Sequence, residues 1–439
     1  VPSTLAPIAS LLIGISFLLA GNGLQSTLTP LRASMEQFGA LDIGLIGSAY
    51  YAGFVAGCVA GPYLILRAGH IRSFAALVSA ASAIALVHPL LVNPYVWMIC
   101  RAVTGFSLAG LYLIIESWLN DRATNENRGL LMSSYIVVNF AAITAGQMLV
   151  TLAPVSGFTL FMLASILVSV AAIPVAMTRS AQPAPITLVQ FNPKKLYRMA
   201  PVGFVGTFMI GIGNGSFWSL GAIYGVDHGL SNSAAALFMS VAVIGGALAQ
   251  WPVGRMSDKM DRRYVLMMVL AAAAAVCMLL ASLTLSNTML LLFGFLFGIT
   301  TLPGYSIAAA HAYDRAAPTD YVETAAGLLL ANGIGSVIGP FVASVLMKGL
   351  GASALFFFIA ATQVALLLFT ALRIKQRASQ TTEEKNDFDL FSTATVGAVL
   401  TPEPLEEENP MVQTPVDPGV AVQAEIDAAN EAAEKDAAA

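Results

Sequence analysis

The sequence predicts an all-α integral membrane fold: twelve transmembrane helices in two pseudo-symmetric six-helix bundles. Three observations predict it. The 439 residues are 57% hydrophobic and 10% charged, with mean hydropathy +0.76, whereas soluble domains carry about 25% charged residues. The apolar residues fall in long runs, and a spanning helix needs about 20 of them because lipid offers backbone N–H and C=O groups no partner. Finally, Asp121-Arg122-Ala123 recurs as Asp314-Arg315-Ala316, one hundred and ninety-three residues later. The same offset pairs Gly61 with Gly254, Gly105 with Gly298, Asn139 with Asn332 and Gly146 with Gly339. The chain therefore reads as a duplication of one hydrophobic half. Many membrane transporters are built from two such halves, with the substrate handled between them.

The first bundle, 1–177, contains the runs 5–29, 42–66, 73–92, 95–119, 129–152 and 157–177. Its opening run lacks a basic start and is too long for a signal peptide, so it reads as a retained helix. Residues 178–199 form a cytoplasmic linker. Gln182-Pro183-Ala184-Pro185 breaks any helix there, and Lys194, Lys195 and Arg198 suit an anionic leaflet. The second bundle, 200–375, contains the runs 200–224, 232–253, 264–284, 288–312, 324–348 and 352–373. Residues 376–439 read as a disordered, acidic cytoplasmic tail. Beyond Arg377, Lys385 and Lys435 stand against fourteen acids, so the acidic balance of the whole chain comes from this segment.

Lys and Arg set the orientation. With the amino terminus in the cytoplasm, the inward loops collect Arg67, Arg72, Arg122, Arg128, Arg179, Arg255, Lys259, Arg262, Arg263 and Arg315, while the outward loops hold Arg32 and Lys348. Both termini are then cytoplasmic, in a multi-pass protein of a bacterial inner (plasma) membrane. Cys58, Cys100 and Cys277 all lie in apolar runs, odd in number and far apart, which argues for packing rather than disulfides. The four histidines show no metal spacing. No phosphate-cradling loop, catalytic triad or paired carboxylates appear, so neither ATP-driven work nor an enzyme is expected, and no cofactor, metal or nucleic-acid partner is expected either.

Two strings carry a family resemblance. Gly254-Arg255-Met256-Ser257-Asp258-Lys259-Met260-Asp261-Arg262-Arg263 resembles the G-x-x-x-D-[RK]-x-G-[RK]-[RK] loop of the major facilitator superfamily, with Asp261 in place of its second Gly. The first half keeps a degraded copy around Gly61, Arg67, Gly69, His70 and Arg72. Arg101-Ala102-Val103-Thr104-Gly105 resembles that superfamily's R-x-x-x-G signature in the fourth helix. Its fifth-helix Gly-Pro element has Gln147 in place of Pro, so the antiporter signature is incomplete. Gly69-His70-Ile71-Arg72, Glu116 to Gly129 and Ala310 to Arg315 resemble the bacterial YcaD-like branch, with the likeness covering about residues 5–375.

The resemblance implies a secondary transporter working by alternating access, complete as a monomer, with membrane lipid, a small-molecule substrate and protons as its partners. Its cavity would be lined from the first, fourth, seventh and tenth helices. The polar and aromatic residues at mid-depth there are Asn22, Gln25, Arg101, Tyr112, Asn214, Trp218 and Tyr305, the candidate substrate contacts. At about 100° per residue, Arg101, Gly105, Tyr112 and Glu116 share one helix face, with roughly 22 Å between Arg101 and Glu116. Charge on a buried face must look into protein or a wet cavity. Arg101 either holds an anionic substrate or governs a nearby proton-binding group, or it ties helices together through carbonyls. Glu116 is either the titrating group or a gate residue paired with Arg72 or Arg128. The cytoplasmic gate would comprise Arg72, Asp121, Arg122, Arg128, Gly254, Asp258, Arg262, Arg263, Asp314 and Arg315, with Arg315 the expected partner of Asp258. Two substrate classes fit, amphipathic compounds for efflux or a small organic anion. A non-transporting membrane scaffold or sensor with the acidic tail as its docking element is the rival reading.

Overall fold

The structure, a computed structural model, describes residues 2–123, 128–176 and 192–376. The expected Pro-rich linker break and the acidic tail lie outside the described residues. Fifteen α-helices follow in order: α1 (Pro2–Met35), α2 (Ala40–Ala68), α3 (His70–Leu90), α4 (Pro94–Arg122), α5 (Arg128–Met148), α6 (Thr159–Val170), α7 (Ala172–Ala176), α8 (Pro193–Met199), α9 (Pro201–Asp227), α10 (Asn232–Lys259), α11 (Arg262–Ser282), α12 (Asn287–Thr301), α13 (Pro303–Tyr313), α14 (Tyr321–Leu350) and α15 (Ala354–Gln376). Two short 3-10 turns complete the set, and no strand occurs among the described residues.

Local chemistry starts and stops these helices. The Asn93 side chain accepts from the N–H groups of Tyr95 and Val96, and Pro94 occupies the first turn of α4, where its missing N–H is harmless. Ser231 and Ser286 cap α10 and α12 in the same way. The tight joints α2–α3 and α14–α15 each turn on a glycine at positive φ, Gly69 at 81° and Gly351 at 85°, which a side chain would disfavour.

Among the described residues ten helical segments are long and apolar enough to cross a membrane, and an eleventh is obtained when α8 and α9, bent by 116°, are taken together. The segment matching the expected sixth run, Thr159–Val175, is a shorter apolar helix. It breaks at Ala171 between α6 and α7, and the described residues stop at 176. The tenth run is likewise two pieces, because Pro303 interrupts the backbone ladder between α12 and α13.

Glycine backbones set the packing, and they repeat with the duplication. A Cβ at Gly53 would overlap the carbonyl oxygen of Ala102, and one at Gly105 that of Tyr50, so α2 and α4 touch through backbone. In the second half Gly245 meets Phe295 and Gly298 meets Ala242 in the same manner, joining α10 to α12. Gly146 against Ala20 is likewise repeated as Gly339 against Ile212. Small residues let helices approach this closely where apolar lipid supplies no drive for side chains to pack.

Three apolar clusters form around this frame. At the end carrying Arg72 and Arg263, here the basic end, each half keeps its own. One is built on Leu18, Leu77, Ile115 and Tyr135, the other on Leu266, Ile307 and Leu328. At the far end a single cluster draws on both halves, joining Leu28, Ile43, Trp97 and Phe161 to Phe217, Phe238, Phe297 and Phe356. The α2–α9–α14 contact lies at that far end. A Cβ at Gly44 would overlap Ser344, and one at Gly47 would overlap Ser219.

Candidate functional site: a central cavity with one cation

A cavity of about 270 Å³ lies between the halves, lined from α1, α2, α4, α5, α9, α10 and α14 and by Leu302 at the α12–α13 break. That volume is near the lower end for small-molecule sites, which run from about 300 to 1,000 Å³. Its walls are largely aromatic and aliphatic, with Tyr50, Tyr51, Phe54, Tyr112, Phe140 and Trp218 on them. Among the described residues lining it Arg101 is the only charged side chain, and no described Asp or Glu reaches it.

The R-x-x-x-G pattern builds this corner. Gly105, one turn after Arg101, admits the backbone of Tyr50 against α4. Tyr50 then presents its ring to the Arg101 guanidinium at 4.4 Å from centroid to Cζ, a cation–π contact. Arg101 is buried, and its Nη1 has no hydrogen-bond partner among the described residues. A ring face offers the guanidinium no acceptor, so the stack leaves its hydrogen-bonding capacity unmet.

Five of the seven expected contacts line the cavity: Asn22, Arg101, Tyr112, Asn214 and Trp218. Gln25 and Tyr305 do not. Both are buried, Gln25 on another face of α1 and Tyr305 within the apolar cluster of the second half. Register explains this. Gln25 lies three residues after Asn22, so it is turned roughly 60° away at 100° per residue, and Tyr305 is packed among the apolar residues of α9, α11 and α14. The sequence reading missed Tyr50, Tyr51, Gln147 and Gln250, because it looked to one helix in three while the second, fifth, eighth and eleventh spans also contribute. Amides standing alone in apolar runs were the signal available for Gln147 and Gln250.

Several amides on its wall hold polar atoms enclosed by protein. Asn22 Oδ1, Asn139 Nδ2, Gln147 Nε2, Asn214 Oδ1 and Gln250 Oε1 are buried without a hydrogen-bond partner among the described residues. The repeat-related pair Asn139 and Asn332 has diverged. Asn332 Nδ2 donates to the Thr207 carbonyl at 3.0 Å and ties α14 to α9, whereas the Asn139 amide nitrogen is left over.

Glu116 does not line the cavity. It is buried one turn past Tyr112, and Tyr135 donates a hydroxyl hydrogen bond to its Oε1 at 3.4 Å. No ion pair to it occurs among the described residues, and Arg72, a suggested partner, is exposed at the start of α3. The side chains of Arg122 and Arg128, and the rest of the loop 124–127, lie outside the described residues.

At the basic end the gate candidates of the second half form one network. Arg262 Nε donates to Asp314 Oδ2 at 2.7 Å with both side chains buried, while its Nη1 reaches Ser257 Oγ at 3.1 Å and Asp258 Oδ1 at 3.4 Å. Asp258 thus shares Arg262 with Asp314. Gly254 is buried on α10, Arg315 is half-buried and Asp121 exposed. Asp261, which stands where the motif has Gly, explains its own presence. Its φ is −59°, so glycine's freedom is not needed, and its carboxylate caps α11 at the Arg263 N–H and binds the Arg263 guanidinium at 2.7 Å. Burial raises the Asp261 pKa, but these hydrogen bonds outweigh it and leave the carboxyl below its usual value. These pairs bind α10, α11 and α13 of the second half to one another. Removing one partner of a buried pair strands the other charge, so Asp314→Ala is expected to lower stability by about 3–5 kcal/mol, and Arg262→Met with Asp314→Leu to recover most of it. Thermal unfolding in detergent reads both.

The comparisons fit this architecture. A family profile described as Major Facilitator Superfamily matches residues 203–416. The MFS-type transporter YcaD of Escherichia fergusonii is 30% identical over 366 residues, covering 82% of this chain and 94% of that protein. The chain belongs to the major facilitator superfamily. YcaD of Salmonella typhi is 29% identical over 376 residues, 84% of this chain and 96% of that one. Among solved structures, a point variant of the nucleoside transporter NupG superposes with TM-score 0.73 at 12% identity, over 83% of this chain and 99% of its own. A bacterial homologue of the lysosomal transporter Spinster, in an inward-facing occupied state, gives 0.66 at 14%, over 86% and 97%. These two likenesses concern the fold. As a superfamily member the chain is a multi-pass membrane protein, and transmembrane transport is its work.

Proposed function

We propose that this superfamily transporter moves a small organic anion by alternating access, coupled to protons. One observation carries the substrate class. Among the described residues the cavity holds a buried cation with an unpartnered donor and no carboxylate to neutralise it. A lone buried charge is expensive, and an anion entering the cavity supplies both the missing charge and the missing acceptor. Aromatic walls suit a ligand with an apolar body. Efflux of neutral or cationic amphipaths leaves the same charge uncompensated.

Alternating access has a basis in the packing. The halves share an apolar cluster at the far end and keep separate clusters at the basic end. With Lys and Arg on the cytoplasmic side of a bacterial inner membrane, this is an arrangement facing the cytoplasm, and the opposite state would part the far-end cluster. The protein acts as two six-helix bundles in one monomer.

Glu116 is the proton-carrying group of this reading. Its charge can change without breaking an ion pair, and Tyr135 links it to the helix that presents Asn139 to the cavity. The test uses proteoliposomes loaded with a pH-sensitive dye and challenged with small aryl carboxylates and their neutral amides. Carboxylates should move protons, amides should not, and Glu116→Gln should abolish the pH signal while leaving anion exchange. No carboxylate-driven flux would sink the anion reading, and an intact pH signal in Glu116→Gln would remove that residue from coupling.

A further inference from the structure

Two buried hydrogen bonds hold α5, one at each end of its cavity face. Ile136, Asn139, Phe140, Ile143 and Gln147 line the cavity at helical spacing. One turn before Asn139, toward the basic end, the Tyr135 hydroxyl donates to Glu116 Oε1 of α4 at 3.4 Å, with both residues buried. At the other end, roughly 18 Å along the helix at 1.5 Å per residue, Gln147 Oε1 accepts from Ser240 Oγ at 3.2 Å. That second bond crosses to α10 of the opposite half and anchors the end of α5. The first bond is long. Hydroxyl-to-oxygen bonds run about 2.5–3.0 Å, and those to an ionised carboxylate about 2.5–2.7 Å. A separation of 3.4 Å is the loose contact of a neutral carboxyl. The surroundings fit that state. Within electrostatic reach of Glu116 among the described residues are Tyr135 from α5, Tyr112 on its own helix and Cys58 from α2. From α3, His70 meets the neighbouring Ser117 Oγ at 3.2 Å, and the charge on α1, Arg32, lies in its last turn at the far end. No described Lys or Arg faces the carboxyl, so its ionised form leans on the Tyr135 hydroxyl.

We propose that Tyr135 is the positioning residue of proton coupling: it closes on Glu116 when that carboxyl ionises, and α5 carries the movement to the cavity wall. This rests on Glu116 as the proton carrier and deepens that reading by naming how its charge is felt in the cavity. In the step itself the proton passes from the Glu116 carboxyl to water. The carboxylate left behind accepts the Tyr135 O–H, and Tyr135 keeps its own proton. Shortening from 3.4 Å to about 2.7 Å draws the start of α5 toward α4 by about 0.7 Å. With the Gln147 end fixed on Ser240, that pull tilts the wall between them, Asn139 and Phe140 most. Ionisation of Glu116 and binding in the cavity are then linked, and each alters the other by the same factor. The cavity as it stands belongs to the neutral carboxyl, so the neutral form is the one that binds the anion.

Two measurements on the purified full chain test this. Infrared spectra titrated with pH follow the protonated carboxyl band of Glu116, identified by its loss in Glu116→Gln. Tyr135→Phe should move the midpoint of that band to higher pH by about one to two units, the worth of a hydrogen bond to a charged group. Without the donor the ionised form is poorer and the proton is held more tightly; a tyrosine that only packs would leave the midpoint in place. Calorimetric titration with phenylacetate reads the linkage. Wild type should bind it several-fold more tightly on the acid side of the midpoint than on the alkaline side, whereas Tyr135→Phe should bind it equally on both sides of its own midpoint. An unmoved midpoint in Tyr135→Phe, or a linkage as large as in wild type, overturns the role of Tyr135 and leaves Glu116 as the carrier. If no titrating band is lost in Glu116→Gln, the carrier reading and this inference fall together. Should Tyr135→Phe not give a monodisperse protein, wild type decides, and equal phenylacetate affinity on both sides of the Glu116 midpoint overturns the proposal.

Discussion

Replacing Arg101 with Met should make the empty protein more stable and the loaded protein worse. The two signs come from one fact. Arg101 is buried, stacked on Tyr50, and has a guanidinium nitrogen with no acceptor. Holding a cation away from water costs several kcal/mol after relaxation, of which a desolvated ring contact returns about 2 kcal/mol. Met fills similar volume without the charge, so the apo variant should gain about 1–2 kcal/mol, read as a rise in unfolding temperature. A carboxylate ligand meanwhile loses its charge-assisted hydrogen bonds, worth about 1.5–3 kcal/mol, so its affinity should fall at least tenfold and its stabilising shift should vanish. Arg101→Lys keeps the charge but not the planar fork or the stacking, and should fall between the two. An apo variant less stable than wild type would mean that Arg101 ties helices together, the structural alternative left open by the sequence.

Gly105→Ala should be among the most damaging single methyls in the protein. The added Cβ would overlap the carbonyl oxygen of Tyr50, and backbone cannot swing aside as a side chain can. The helix α2 must then lift off α4, at about 1–3 kcal/mol or more, and the Tyr50 ring moves with it, leaving Arg101 without its stacking partner. Stability and carboxylate binding should therefore fall together. Two controls separate the causes. Gly298→Ala makes the equivalent overlap with Ala242 in the second half, so it should cost similar stability while leaving the Tyr50–Arg101 stack in place. Gly129→Ala meets nothing within 4 Å and should be neutral or slightly stabilising. Thermal unfolding and phenylacetate titration of the three variants read the outcome; a Gly105→Ala protein with wild-type stability would mean that α2 and α4 are not held by backbone contact.

The sequence by itself determined the membrane class, the duplication, the family and the neighbourhood of the site. Hydropathy and charge are local properties, and an offset that repeats Gly105 as Gly298 survives because both glycines answer the same backbone contact. Arg101 was legible because an ionisable residue inside an apolar run needs a reason to be there. What only the tertiary structure decided is which neighbours those residues meet. Gln25 was chosen for its depth, yet the turn of α1 points it away from the cavity; Gln147 was read as a lost proline, and its Oε1 accepts from Ser240, ninety-three residues off in the opposite half. Asp258 shares Arg262 with Asp314, a choice made by how α10, α11 and α13 converge. Helical periodicity tells which residues share a face, but the packing of one helix against another decides whether that face looks at lipid, at protein or into the cavity.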